Sequence, residues 1–121
     1  MDRATATTLL ANKVAASSRP ALEPADLLAL LALYATADSS GRLPSDEGWV
    51  GTWNLNAAAA EGWRWKAGKV AGDFTFSADD GTYNKAQVLA HCEAMAAQFA
   101  ALDTSTYATV ETGYGSPRLV L

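Results

Sequence analysis

The chain has 121 residues, half of them hydrophobic and 18% charged, the size and balance of one compact domain and too short for a multidomain enzyme. Nine Lys and Arg stand against thirteen Asp and Glu, a net charge of -4, which has the wrong sign for a broad phosphate-gripping surface. A single cysteine, Cys92, excludes a disulfide framework within the chain, and a chain of this length buries about two-thirds of its unfolded surface, enough for a core without staples.

The N-terminal stretch lacks a secretory pattern, because Asn12 and Lys13 cut the apolar residues around Leu9, Leu10 and Ala11; synthesis and use in a cytoplasm are expected. The longest apolar run, residues 27–35, has about half of the roughly 20 residues that a membrane-spanning helix needs and predicts a buried helix instead.

In chain order, residues 4–17 predict an amphipathic helix with Leu9, Leu10 and Val14 as its apolar contacts. A second helix is expected over 23–37: Pro24 suits the first turn, Asp26 lies near the positive end of the dipole, and Leu27, Leu30, Leu31 and Tyr34 share one face. It reads as the central core helix. Residues 38–52 gather Ser39, Ser40, Gly41, Pro44, Ser45, Gly48 and Gly51 into a loop, pinned by Trp49 and Trp53. Asn54 is placed to cap a third helix running to about Val70. Leu55, Ala59, Trp63 and Val70 line one side of it, Trp65 falls with Ala58 on another, and Arg64, Lys66 and Lys69 fill much of the rest.

Beyond Gly72, residues 73–77 alternate like a short strand and Asp79-Asp80-Gly81 supplies a hairpin-like turn. Asn84 with Gln87 makes a cap pair for a last helix over 85–102, on which Val88, Cys92, Met95, Phe99 and Leu102 recur at four- and three-residue steps. Residues 103–121 favour an extended arm through Tyr107, Val110 and their Thr-rich neighbours, with Gly113, Gly115 and Pro117 against a long helix. The arm ends in Leu119-Val120-Leu121, which a solvated tail rarely needs, so docking is expected. The fold class is therefore mainly α: a small bundle of about four helices over 1–102 with a short β-hairpin-like segment, followed by the arm. The core is expected from Leu27, Leu30, Leu31, Tyr34, Leu55, Trp63, Val88, Cys92, Met95 and Phe99.

Catalytic and cofactor chemistry finds little support. The one histidine, His91, sits beside Cys92, but helical neighbours point about a quarter turn apart, so a core thiol next to a surface imidazole is expected rather than a nucleophile and base. Zinc lacks a second His or Cys, and a calcium loop drawn around Gly81 puts Phe76 where the first carboxylate belongs. Gly113-Tyr114-Gly115 has no third glycine and no following helix. Glu61 and Glu93 lie on different helices and read as solvated. No cofactor or metal is expected. The remaining feature is Trp63-Arg64-Trp65-Lys66 with Lys69. Such a cluster can stack bases, but on an acidic chain it reads better as one tryptophan in the core and one at an interface, where Trp and Arg concentrate.

The stretch 53–71, with Ala60-Glu61-Gly62-Trp63-Arg64-Trp65-Lys66 at its centre, closely resembles a segment of the small head-to-tail connector proteins of tailed bacteriophages, especially those of actinobacterial hosts. The resemblance extends to Asp26-Leu27-Leu28-Ala29-Leu30-Leu31, to the segment from Phe74 to Gly81 and to Gln87-Val88, covering residues 24–102; the arm matches only as an extension. It implies a non-catalytic, mostly helical adaptor of the virion neck. Such subunits form a ring, typically twelve-fold, beneath the portal protein. The ring lengthens the channel through which genomic DNA passes without sequence-specific binding, and it docks the stopper or tail protein below. An acidic wall suits DNA that must slide. On that reading Arg64, Trp65, Lys66 and Lys69, with Tyr107, Val110, Tyr114, Pro117, Arg118, Leu119, Val120 and Leu121 of the arm, face the portal or a neighbouring subunit. A stopper or tail-side component, or a small cytoplasmic helical regulator, remains open at this point.

Overall fold

The computed structural model describes residues 1–72 and 85–103. Among them stand four helices, α1 (Arg3–Lys13), α2 (Pro24–Leu33), α3 (Leu55–Gly72) and α4 (Lys85–Leu102), which pack as a small helical bundle. The strand expected over 73–77, the turn at Asp79-Asp80-Gly81, the Asn84 cap, and the arm residues Tyr107, Val110, Tyr114, Pro117, Arg118, Leu119, Val120 and Leu121 lie outside the described residues.

Helix α1 opens on Asp2, whose carboxylate accepts the Thr5 N–H at 2.7 Å, satisfying one of the free amides of the first turn. It ends four residues before the expected Ser17. The chain closes instead into a Schellman turn: the Ala16 N–H reaches Ala11 O at 3.0 Å, the Ala15 N–H reaches Asn12 O at 3.4 Å, and Ala15 takes the left-handed φ of 48°. Ala6, Leu10 and Val14 are buried along one side, while Leu9, expected with them, is exposed.

Helix α2 starts as predicted, with Pro24 in the first turn and the Asp26 carboxylate accepting the Glu23 N–H at 2.8 Å. It stops at Leu33 rather than Ala37 because the backbone beyond finds other partners. Ala35 pairs with Trp53 in an antiparallel bridge, Thr36 N–H donates to Thr52 O at 2.9 Å, and Asn54 N–H donates to Tyr34 O at 3.0 Å. Between these strands of chain lies a loop organised by one carboxylate. Asp38, nearly buried, accepts the N–H groups of Ser40, Arg42 and Val50, each at 2.9 Å, and the Arg42 guanidinium at 3.0 Å. The Val50 and Arg42 amides, with the Arg42 guanidinium and the Ser40 amide, hold its acid group down to about 2. Trp49 and Trp53 meet edge to face at 5.5 Å, as the pinned loop anticipated.

Asn54 caps α3, its side-chain oxygen accepting the Ala57 N–H at 3.1 Å. This helix, not α2, is the centre of the bundle: it packs against α1, α2 and α4. Its small residues explain why. Ala58, Ala59, Ala60, Gly62 and Ala67 are buried, so neighbours approach on more than one side. At Gly62 a Cβ would stand 2.8 Å from Val14 Cγ1 and 3.2 Å from Leu30 Cδ1, which only a missing side chain permits. Helix α4 has the predicted bounds and lies along α3. Of the expected core, Leu27, Leu30, Leu31, Trp63 and Cys92 are buried, and Tyr34, Leu55, Val88, Met95 and Phe99 are partly buried against them. Leu102, expected on the same stripe, is exposed, and Ala96 is the other fully enclosed residue of α4.

Candidate functional site

The aromatic and basic cluster on α3 divides into an inner and an outer half. Trp63 and Lys66 turn inward and cap the end of α1. The Trp63 indole N–H donates to Lys13 O at 3.1 Å, and the Lys66 ammonium donates to Val14 O and Ala15 O, both at 2.8 Å. Three successive carbonyls at the end of α1 thus find donors on α3, Ala15 O accepting from the Ser18 N–H at 3.0 Å as well, and a cation sits at the negative end of the α1 dipole. The ammonium also lies 4.3 Å from the centre of the Trp63 ring.

Lys66 is the clear correction to the sequence reading. Expected on an interface, it is 0% exposed. A helical wheel sets it about 160° from Arg64 and among Leu55, Ala59, Trp63 and Val70 on the inner side, but the wheel does not show that α1 ends over it with carbonyls to offer. Burial lowers its pKa below the ordinary lysine value. Cys92, on α4, is a buried free thiol pushed up by desolvation, with the Lys66 charge partly opposing that. His91 is exposed and meets the Trp63 ring edge to face at 5.5 Å. The expected core thiol beside a surface imidazole is therefore what the fold holds.

The outer half gathers around Glu61. Its carboxylate accepts the Arg64 guanidinium at 2.9 Å and the Trp65 indole N–H at 2.9 Å. Trp65 is half-buried and Arg64 is exposed. Tyr34, from the end of α2, stands against the same carboxylate, and burial together with Glu61 raises its phenol above the ordinary value. Glu61 thus differs from the solvated carboxylate that the sequence suggests; its spacing, three residues before Arg64 and four before Trp65, is the signal of this grouping. Lys69 is exposed and pairs with Asp26 of α2 at 3.6 Å. The three cations of the cluster are thus one buried and two paired with carboxylates, an arrangement ill suited to neutralising phosphates.

Arg64 and Ala67 of α3 and Glu93, Ala96 and Ala97 of α4 border a shallow cleft of about 470 Å³. Among the described residues no three His, Cys, Asp or Glu side chains converge as a metal site, and no helix is long and apolar enough to cross a membrane. No protein-family model matches the chain, and no curated protein and no solved structure matches it.

Proposed function

We propose that the chain is a non-catalytic structural subunit of a phage neck, a head-to-tail adaptor that assembles as a ring, typically twelve-fold, beneath the portal protein and docks the next neck or tail component. The observation that carries this reading is the division of the two tryptophans. Trp63 is committed to the core, whereas Trp65, half-buried against the edge of that core, and the exposed Arg64 are held by Glu61. A Trp and an Arg fixed in place before binding lose little side-chain freedom when a partner covers them. The resemblance of residues 53–71 to phage connectors centres on this same helix. The surrounding chain is acidic overall, which favours passage of DNA over its retention. Residues 104–121 enter the proposal through their sequence alone, with Tyr107, Val110, Tyr114 and Leu119-Val120-Leu121 as anchors on the portal or a neighbouring copy.

The test compares two substitutions. Trp65→Ala is expected to destabilise the subunit less than Trp63→Ala does and to reduce recovery of the chain on portal rings by more than that loss of stability accounts for. Trp63→Ala removes a buried ring and is expected to destabilise the subunit by about 3–5 kcal/mol. If Trp65→Ala binds portal rings as wild type does, the interface assignment of α3 fails.

A further inference from the structure

A groove of about 340 Å³ runs between α2 and the loop of residues 38–53. Leu28 and Ala32 form one wall, Pro44, Trp49 and Trp53 the other, and Arg3 is the one charged side chain among the described residues that line it. Leu28 is 48% exposed, although α2 is apolar nearly all round and a helix of that kind is normally covered. The far wall is fixed in advance. Four hydrogen bonds to the Asp38 carboxylate shape the loop, and the Trp49 indole N–H donates to Thr36 O at 2.9 Å. Arg3 forms no ion pair with a described residue, whereas Arg42, Arg64 and Lys69 each have a carboxylate partner.

We propose that this groove is a docking site for an extended segment of another polypeptide, one that places adjacent apolar side chains against Leu28 and the Trp49–Trp53 pair and a carboxylate on Arg3. The volume is near the lower end of the range for binding pockets, roughly 300–1,000 Å³. That accommodates a few side chains of an extended strand rather than the row of anchors a docked helix presents. Charge complementarity supplies the acidic element: a guanidinium with no carboxylate partner among the described residues, beside apolar walls, prefers a planar carboxylate, which it can meet with two parallel hydrogen bonds. The inference is independent of the adaptor reading, since it rests on residues outside the α3 cluster.

Short synthetic peptides carrying Leu-Val followed by Glu, with Gln in place of Glu as the control, test it on the full chain. The indole N–H resonances of Trp49 and Trp53 are expected to shift on titration while that of Trp63 stays in place. The Glu peptide should bind about fivefold tighter than the Gln peptide, the size of one partly exposed ion pair. Arg3→Gln should erase that ratio, and Leu28→Glu should abolish binding of both. Both positions are exposed, and an unchanged melting temperature verifies that the variants fold. Equal binding of the two peptides by wild type, shifts that persist in Leu28→Glu, or no shift with either peptide overturns the proposal. So does self-association of wild type, seen by sedimentation and lost in Leu28→Glu, because the occupant would then be a second copy.

Discussion

Replacing Lys66 by Met separates the ammonium from the volume it fills. The thioether chain keeps most of the buried bulk, so what disappears is two hydrogen bonds of 2.8 Å, to Val14 O and Ala15 O, and the contact with the Trp63 ring at 4.3 Å. The Val14 carbonyl is then left without a donor, at a cost of about 1–3 kcal/mol, whereas Ala15 O keeps the Ser18 N–H at 3.0 Å. Against that, the variant no longer desolvates a charge, which returns part of the loss. The expected net effect is a destabilisation of about 1–3 kcal/mol, or about 5–10 °C in melting temperature for a domain of this size. Lys66→Ala adds a cavity and should fall below Lys66→Met by about 2 kcal/mol. Urea unfolding followed by circular dichroism measures both at neutral pH. The pH dependence has a defined sign. Because burial sets the folded-state pKa of Lys66 below the ordinary 10.5, the unfolded chain binds more protons between the two values, and stability rises with pH across that window. The gap between wild type and Lys66→Met should therefore widen towards pH 10.5. A Lys66→Met protein as stable as wild type would refute the idea that the ammonium closes α1, and a gap that narrows with rising pH would refute burial as its dominant influence.

Three further outcomes follow from single positions. Gly62→Ala puts a Cβ 2.8 Å from Val14 Cγ1 and should cost about 1–3 kcal/mol by overpacking, while Gly68→Ala, on the exposed side of the same helix with nothing within 4 Å, should stabilise by up to about 1 kcal/mol; paired thermal melts read the contrast. Ala15→Gly relieves the left-handed φ of 48° at the end of α1 and should raise stability by about 0.5–1 kcal/mol after the greater freedom of unfolded glycine is subtracted, measured by urea midpoint. The Asp38 carboxylate is held at about 2 in the fold against an ordinary 3.8, so its contribution is complete above the ordinary value and is lost as pH falls towards 2; an acid titration of the Trp49 and Trp53 fluorescence should show a loop transition in that window, shifted to higher pH or absent in Asp38→Asn.

The parts of the fold that local chemistry determines were legible in the sequence. Helix α4 has its expected bounds because an uninterrupted heptad-like stripe leaves little choice, and α2 and α3 begin where Pro24 and Asn54 signal. The misses lie where a distant partner decides. Nothing local to Tyr34 announces that its backbone will pair with residues 52–54 and end α2 early. The end of α1 is likewise set from α3, by donors about fifty residues away in sequence. Lys66 reads as an interface residue when grouped by charge with Arg64 and Lys69, although its helical spacing puts it with Leu55 and Ala59; the carbonyls that let a lysine be buried there are backbone groups, which a residue pattern does not display. Asp38 stands in a run of turn formers that predicts a loop; which carboxylate would gather that loop's amides depends on the return of the chain at Val50. Within the candidate site, the inward placement of Trp63 followed from helical spacing alone, and the grouping around Glu61 was available from the same spacing.

On the proposal that the chain is a phage adaptor, the most direct test is the native mass of the portal ring of a tailed phage that carries this gene, measured alone and after mixing with this protein. A gain of one copy per portal subunit is the predicted result. No gain, with both proteins shown to be folded, would contradict it.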